Sequence, residues 1–286
     1  MRKITISLIM LVIICVAVML PLAATSQSNS LVVSYGETTY HNSQYKSFVD
    51  NYFVNNAHIN MNDVESEVVS AEDVNEISSG ISQRTYSSNQ IFSSALLDLN
   101  ETNGITITVD TSKITTVTPA MFKTALDSAG INQGHVYVTS PVVSTGESAL
   151  AGIMDSYEEA TDIEIPDKVK EAANGEIHAQ SEIVNNSNVD GDKLANLVSD
   201  VKEQVKQENT SSKDTIINII NNVAIQNNIN LSDADVDKLA DAISQSQSVQ
   251  DQASQYKQQL DSFLKSDEGQ SIFNQDRKST RLNSSH

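Results

Sequence analysis

Short segments of alternating apolar and polar residues dominate the first part of the chain and predict β-strands. Leu31–Gly36 is a β-type run that ends at a glycine, and Asp63–Val69 alternates as expected of a strand with one face in solvent. On that interpretation Glu65 and Glu67 lie on the solvated face. Between the two strands, aromatic and apolar residues recur at helical spacing from Tyr40 to Val54 and predict a helix packed on the sheet.

The clearest strand pattern lies in the middle of the chain. Alternate positions of Gly104–Asp110 carry isoleucine or valine, and the preceding segment Gln90–Leu99 also has strand character. The residues that join them, Asn100–Gly104, are turn formers. The pattern therefore predicts a β-hairpin.

A β-α-β unit is predicted next. Ile114–Val117 has the composition of a short strand, and Thr118 and Pro119 are placed to begin a helix, Thr118 as its cap and Pro119 in its first turn. Gly130 ends that helix. His135–Thr139 is then the returning strand.

The segment Ser144–Glu147 has the form of a capping box, in which Glu147 reaches back toward Ser144. The helix it would start carries an apolar stripe that continues to Tyr157. Two helices with matching apolar faces can cover one side of the same sheet.

From about residue 161 the pattern is helical. Apolar residues at helical spacing predict helices over Lys168–His178, Asp190–Gln207, Ser212–Asn227 and Ser232–Leu264. The predicted fold class is α+β, with an α/β-like character: a small mixed sheet covered by helices, followed by an all-helical C-terminal region. We expect an α/β domain over residues 31–160 and a helical region over residues 161–264.

Both ends of the chain carry segments that we do not expect in the folded body. Residues 1–24 combine Arg2 and Lys3 with an apolar run and small residues up to Ala24, as in a cleaved secretory signal peptide. The competing interpretation is a retained anchor, although the run falls short of the roughly 18 to 20 apolar residues that span a bilayer. Residues 276–286 match the translation of a common sequencing-library adapter. We therefore expect the natural sequence to be truncated near residue 275.

The charge of the chain narrows the classes of partner. It has 37 acidic and 18 basic residues, a formal net charge of −19. Such a field repels nucleic acid and anionic lipid surfaces, so we expect no nucleic-acid binding and membrane contact only through the signal segment if it is uncleaved. The one cysteine, Cys15, lies in the signal segment, so no disulfide is expected in the mature chain.

Catalytic fingerprints are absent from the sequence, which has no nucleophile elbow, phosphate-binding loop, zinc-protease motif or dinucleotide fingerprint. We therefore predict no catalytic residue and no cofactor. The candidate that remains is the turn of Ser144, Thr145 and Gly146, where free N–H groups at a helix start could bind an anion or carboxylate. Ser144 could also act as a hydrolase nucleophile at this strand-to-helix turn, although the sequence marks no base for it.

Acidic segments resemble cation sites without completing one. The carboxylates of Asp63–Val69 are explained by a solvated strand face. The run Asp233–Asp237 lacks the glycine and the bidentate acid of a calcium loop and is better explained as an acidic helix start capped by Ser232. Asn186–Asp192 also lacks the final acid. No metal site is predicted, while a calcium-dependent surface module stays open as an alternative.

Five segments carry a family resemblance. They are Gly104-Ile-Thr-Ile-Thr-Val, Thr116-Val-Thr-Pro-Ala-Met-Phe122, Ala125-Leu-Asp-Ser-Ala-Gly-Ile131, Ser140-Pro-Val-Val-Ser-Thr-Gly146 and Ala149-Leu-Ala-Gly-Ile-Met154. In these segments the chain resembles the YpuA-like family of exported proteins, a domain of unknown function (DUF1002), from about Leu31 to Phe263. The resemblance implies secretion and an α/β body with a helical C-terminal part. The family has no established activity that the resemblance could imply for this chain.

The expected function is that of a non-enzymatic exported protein, extracellular or at the cell surface, which binds an unidentified envelope or protein partner. A secreted hydrolase with its site at Ser144–Glu147 is one alternative. The calcium-dependent surface module is the other.

Overall fold

The computed structural model describes residues 29–79, 85–100, 104–187 and 189–272. The predicted signal peptide at residues 1–24 and the predicted adapter-derived tail at residues 276–286 lie outside the described residues. No helix within the described ranges is long and apolar enough to cross a lipid bilayer.

Strands from the first half of the chain form one mixed sheet. They are β1 (Leu31–Gly36), β2 (Glu65–Val69), β3 (Ser94–Asp98), β4 (Ile105–Val109) and β5 (Gly134–Thr139). Among the described residues the sheet has five strands in the order β2-β1-β3-β5-β4. β1 is parallel to β2 and antiparallel to β3, while β5 is antiparallel to β3 and parallel to β4. The edges are therefore parallel pairs and the centre is antiparallel.

Helices make up most of the remaining described chain. They are α1 (Glu37–Tyr40), α2 (Ser43–Ala57), α3 (Ala71–Ser78), α4 (Pro119–Ser128), α5 (Ala149–Thr161), α6 (Asp167–Asn186), α7 (Gly191–Gln207), α8 (Lys213–Gln226), α9 (Asp233–Ser248) and α10 (Gln250–Lys265). A 3₁₀ turn, Met61–Asp63, precedes β2. The mixed sheet followed by successive helices confirms the predicted α+β class.

The predicted hairpin is wrong, although both of its strands exist. β5 lies between β3 and β4 and pairs with each, so that Val136 has Leu97 on one side and Ile107 on the other. A strand that returns after a helix can insert between two strands that are neighbours in sequence, and local turn chemistry does not report that choice. Val136 has no exposed surface, so the inserted strand provides the centre of this half of the sheet.

The β-α-β unit exists with a different first strand from the one predicted. β4, α4 and β5 form it, because β4 and β5 are the parallel pair that α4 connects. Ile114, predicted to lie in the first strand, instead makes an isolated parallel bridge with Ser144. The residues 114–117 therefore lie outside the main sheet.

The predicted ends of α4 are confirmed. The Thr118 hydroxyl accepts the N–H of Met121 at 3.3 Å, and Pro119 occupies the first turn. Gly130 follows the helix with a φ of +79°, and a Cβ on it would lie 2.2 Å from the carbonyl oxygen of Ala253. Glycine is required there both by the left-handed backbone and by the close approach of α10.

The predicted helix Ser232–Leu264 is two helices. α9 ends at Ser248 and α10 begins at Gln250, with the buried Val249 between them. The apolar residues of α9 pack in the helical region, whereas Val249 and those of α10 pack with the sheet. The break allows consecutive helices to face different cores.

Four apolar clusters hold the described residues together, and the smallest joins β2, α3 and α5 through Val69, Val74 and Ala151. The largest combines one face of the sheet with α4, α5, α10 and the first half of α6, and the second lies among α6, α7, α8 and α9. A smaller one packs α2 on the opposite face of the sheet through Val49 and Phe53. Because α6 contributes to both larger clusters, the α/β part and the helical region share apolar packing.

The faces of β2 are opposite to the prediction. Ser66 and Val68 are exposed, whereas Glu65, Glu67 and Val69 are on the less exposed face. Alternation alone could not decide between the two faces because β2 carries valine on both. As a result, two glutamates predicted to be in solvent face helix α5.

Candidate functional site

A cleft of about 320 Å³ lies where β2, α3, α5 and α6 meet. Carboxylate side chains from all four elements line it: Glu67, Asp73, Glu76, Asp155, Asp167 and Glu171. Lys170 adds an ammonium group, and Ile77 and Ala151 add a small apolar wall. The lining therefore carries a strong excess of negative groups.

Glu67 enters the cleft from the edge strand β2. Its neighbour in register on β1 is Ser34, and the Ser156 hydroxyl of α5 donates a hydrogen bond to Glu67 Oε1 at 3.0 Å. Burial raises the pKa of Glu67 to about 8, the charge of Asp155 adds to the rise, and the hydrogen bond from Ser156 opposes it. Glu67 therefore keeps a proton at pH values where an exposed glutamate is ionised.

Asp155 enters the same cleft from α5. Burial raises its pKa to about 7, and the charges of Glu158 and Asp73 act in the same direction. The nearby positive charge of Lys170 opposes these effects. Asp155 and Glu67 both exchange protons close to neutral pH.

Glu65 extends the contact between β2 and α5. Burial raises the pKa of Glu65, and the charge of Glu159 and a hydrogen bond with it raise the pKa further. The edge strand thus meets α5 along a row of carboxyl groups. Their packing is most favourable when some of them are protonated.

Lys170 is bonded to a different carboxylate. Its Nζ donates to Glu158 Oε2 at 2.8 Å. Burial lowers the pKa of Lys170, but the hydrogen bond with Glu158 and the nearby negative charges outweigh it, so the pKa is raised overall. Lys170 therefore acts on Asp155 through its charge, while one of its three N–H groups donates to Glu158.

The close approach of α5 to the sheet depends on Gly152. A Cβ at this position would lie 2.4 Å from Ser34 Oγ and 2.8 Å from Val69 Cγ2. The Ser34 hydroxyl is buried and hydrogen bonds to none of the described residues. Because Asp155 follows Gly152 by one helical turn, this contact sets how near Asp155 comes to β2.

The cleft can bind a cationic group and release protons from its carboxyl groups as it does so. Glu67 and Asp155 share a partly buried cleft, where the charge of Asp155 disfavours ionisation of Glu67. The charges of Glu158 and Asp73 disfavour ionisation of Asp155. An ammonium group placed between them would favour ionisation of both. Within the described ranges, no group of three or more His, Cys, Asp or Glu side chains is arranged to hold a metal ion.

The capping box predicted at Ser144–Glu147 is wrong, because α5 begins at Ala149 and its cap, Ser148, makes no side-chain cap hydrogen bond. The two oxygens of Glu147 accept hydrogen bonds from the hydroxyls of Thr145 and Ser181 instead. The Ser144 carbonyl accepts a backbone hydrogen bond from residue 115, which holds this segment extended. Glu147 is thus a buried carboxylate that links the turn to α6.

The residues predicted to bind an anion, Ser144, Thr145 and Gly146, lie away from the cleft's lining. The Ser144 N–H donates to the carbonyl of Lys113 at 2.9 Å, so that donor is already used. The Ser144 hydroxyl lies 3.2 Å from the Ser93 hydroxyl, and no histidine or carboxylate of the described residues hydrogen bonds to it. Anion binding at this turn stays a prediction.

The acidic run at Asp233 is a helix start, as predicted. Ser232 and Asp235 form a capping box at the N-terminus of α9, with Asp235 N donating to Ser232 Oγ at 3.2 Å. Asp190 caps α7 by accepting the N–H of Lys193 at 3.0 Å. Both acidic segments therefore satisfy helix N-termini.

Comparison with known proteins identifies the relatives of the chain. The family model described as "Protein of unknown function (DUF1002)" matches residues 35–263. The chain belongs to this family. It is similar to the "Uncharacterized protein YpuA" of Bacillus subtilis (strain 168), with 29% identity over 205 residues that cover 67% of this chain and 68% of that protein. No solved structure matches the chain.

The resemblance to the DUF1002 family seen in the sequence is thereby confirmed. The family match includes every residue that lines the acidic cleft. The sequence interpretation missed this cleft because it placed Glu67 in solvent. A signal was available in α5, where Asp155 follows the small residues Ala151 and Gly152 by four and three positions and thus shares their buried face.

Proposed function

We propose that this protein is an exported binding protein of the cell envelope or its surroundings and that its acidic cleft takes an organic ligand through an ammonium group. The signal-peptide pattern at residues 1–24 supports export, and the acidic composition suits an exported protein. The proposal for the ligand rests on Glu67 and Asp155.

The observation that carries the proposal is the pair of partly buried carboxyl groups with raised pKa values in one cleft. Removing a proton one pH unit below its pKa costs about 1.4 kcal/mol. An ammonium group about 4 Å from a carboxylate gains about 4 kcal/mol at an effective dielectric constant near 20. The Coulomb gain exceeds the cost of deprotonation, and an amine replaces the proton where the remaining margin covers the desolvation of its ammonium group.

The size of the cleft favours an organic amine over a bare metal ion. Its volume of about 320 Å³ lies at the lower end of the range for small-molecule sites. Ile77 and Ala151 offer an apolar surface to the carbon chain of such a ligand. A short aliphatic diamine or a lysine-like side chain has the matching chemistry.

Calorimetric titration of the mature protein with 1,4-diaminobutane tests the ligand. We expect saturable binding with release of protons near pH 7.5, detected by repeating the titration in buffers of different ionisation enthalpy. Glu67→Gln and Asp155→Asn are each expected to raise Kd by about tenfold, equivalent to about 1.4 kcal/mol.

Glu72→Gln is the matched control, since Glu72 is an exposed acid of α3 that does not line the cleft. Equal affinity in all four proteins would show that the diamine binds through general surface charge. Tighter binding of calcium than of the diamine, lost in Glu67→Gln, would contradict the assignment to an amine and favour the calcium-dependent alternative.

Export has its own test. Expression of the full chain in a Gram-positive host, followed by N-terminal sequencing of the protein from the medium and from the cell wall, is expected to find a chain that starts at Thr25. Recovery of the chain from the cytosol with Met1 intact would contradict this part of the proposal.

A further inference from the structure

A second cavity, of about 160 Å³, is lined by lysines although the protein is strongly acidic. Lys202 and Lys206 of α7 and Lys257 of α10 line it, beside the C-terminal ends of α4 and α9. The chain has 18 basic against 37 acidic residues. Three ammonium groups on one small cavity repel one another, and the partial negative charge of about one half at each of the two helix C-termini offsets part of this repulsion.

Lys202 is compensated by the protein itself. Its Nζ donates to the carbonyl of Thr124 at 2.8 Å, to Ser128 Oγ at 2.6 Å and to both oxygens of Glu176 at 3.2 Å. Glu176 has no exposed surface and also accepts hydrogen bonds from Ser128 at 2.7 Å and Ser246 at 3.3 Å. This network forms a fixed polar wall of the cavity.

The positive charges of Lys206 and Lys257 are not neutralised by a buried carboxylate as that of Lys202 is. Lys257 Nζ lies 3.9 Å from Asp261, at the outer limit of an ion pair, and Lys206 makes no ion pair with the described residues. Asp127 also lines the cavity, but it is held by Lys123 at 2.7 Å. A net positive charge is therefore left at the mouth.

Neutral hydrogen-bond donors complete the lining. α10 begins beside the cavity with Gln250, and its cap, Val249, offers no side-chain acceptor to the first N–H groups of the helix. The hydroxyl of Ser254 and the amide of Gln247 lie in the same lining. Donors of this kind, together with lysines, are what a tetrahedral oxyanion binds.

We infer that this cavity binds one phosphate group, through Lys206, Lys257 and the N-terminus of α10. The volume suits a single tetrahedral anion or the phosphate end of a small ester. The fixed wall made by Lys202 and Glu176 limits how deeply the group enters. The site is separate from the acidic cleft, with which it shares no lining residue.

The test measures binding of inorganic phosphate by calorimetry and by the melting temperature at constant ionic strength, with chloride as the reference anion. We expect saturable binding and a rise in melting temperature. The double variant Lys206→Gln, Lys257→Gln is expected to raise Kd at least tenfold and to lose the thermal shift. Titration with sn-glycerol 3-phosphate then distinguishes the two sources of the phosphate group. Binding tighter than that of inorganic phosphate indicates a phosphate ester as the ligand, and equal or weaker binding indicates the free ion.

The matched control is the double variant Lys193→Gln, Lys265→Gln. It removes one exposed lysine from each of the same two helices, outside the cavity, and is expected to bind phosphate as the wild type does. Equal losses in the two double variants, or no binding by the wild type, would overturn the inference. A cooperative urea unfolding transition in the Lys206→Gln, Lys257→Gln variant, with a midpoint close to that of the wild type, shows that the protein is folded.

Discussion

Glu67 and Asp155 reach the same cleft from different elements, Glu67 from the edge strand β2 and Asp155 from helix α5, and the negative charge of Asp155 is among the causes that raise the pKa of Glu67. Among the described residues β2 pairs with one strand, β1, so its contact with α5 is an important part of its attachment. The protonation of the two carboxyl groups therefore affects how firmly the strand is held.

The first prediction is that the protein loses stability as the pH rises from about 4 to about 8. The pKa of Glu67 rises from 4.5 to about 8 and that of Asp155 from 3.8 to about 7. Between these values the folded state binds more protons than the unfolded state, so the free energy of unfolding falls with increasing pH. Urea unfolding at pH 5 and pH 8 should show a loss of about 1 to 3 kcal/mol from this pair.

Glu67→Gln keeps the hydrogen-bonding shape and removes the titration, so the loss between pH 5 and pH 8 should shrink. Glu72→Gln, which changes an exposed acid of the neighbouring helix, should leave the loss as in the wild type. An unchanged pH dependence in Glu67→Gln would contradict the assignment.

A second prediction concerns the buried ion pair of Glu176 and Lys202, at 3.2 Å. Glu176→Ala leaves Lys202, Ser128 and Ser246 without their shared acceptor, so the free energy of unfolding should fall by about 3 to 5 kcal/mol. The double variant Glu176→Met, Lys202→Met removes both charges and should recover much of that loss. Chemical unfolding of both variants measures the difference, and a double variant less stable than Glu176→Ala would refute this account.

A third prediction follows from the Ser34 hydroxyl, which is buried and hydrogen bonds to none of the described residues. Ser34→Ala removes a polar group whose desolvation is not repaid by a hydrogen bond. The variant should be more stable than the wild type by about 1 kcal/mol. A loss of stability, measured by urea unfolding, would indicate that the hydroxyl has a partner such as an ordered water molecule.

The sequence predicted those parts of the fold that depend on local chemistry. The caps of α4 at Thr118 and Gly130 and the capping box at Ser232 follow from the residues themselves, and the structure has them in place. The pairing of strands does not follow in this way. β5 inserts between β3 and β4 because of packing between distant residues, which a turn sequence such as Asn100–Gly104 does not encode.

The candidate site was harder to predict than the fold. Placing Glu67 in the cleft requires the correct face of β2. Glu67 pairs in register with Ser34 of β1, and α5 approaches Ser34 at Gly152, which lies 118 positions further along the chain. The row of carboxyl groups was visible in the sequence as Glu65 and Glu67. Its partners on α5 could be recognised only after the helix had been placed on the sheet.

The last prediction compares two glycines that share a left-handed backbone and differ in their surroundings. Gly146 has a φ of +106°, and a Cβ on it would lie 2.6 Å from Ile114 Cγ2. Gly104 has a φ of +98°, and apart from its chain neighbours no atom of the described residues lies within 4 Å of that position. Gly104→Ala should therefore cost about 1 kcal/mol, from backbone strain alone. Gly146→Ala should cost about 1 to 3 kcal/mol more, because the methyl group must displace the buried Ile114. Urea unfolding of both variants measures this difference, and equal losses would mean that the turn at Ser144 can move away from Ile114 at no cost.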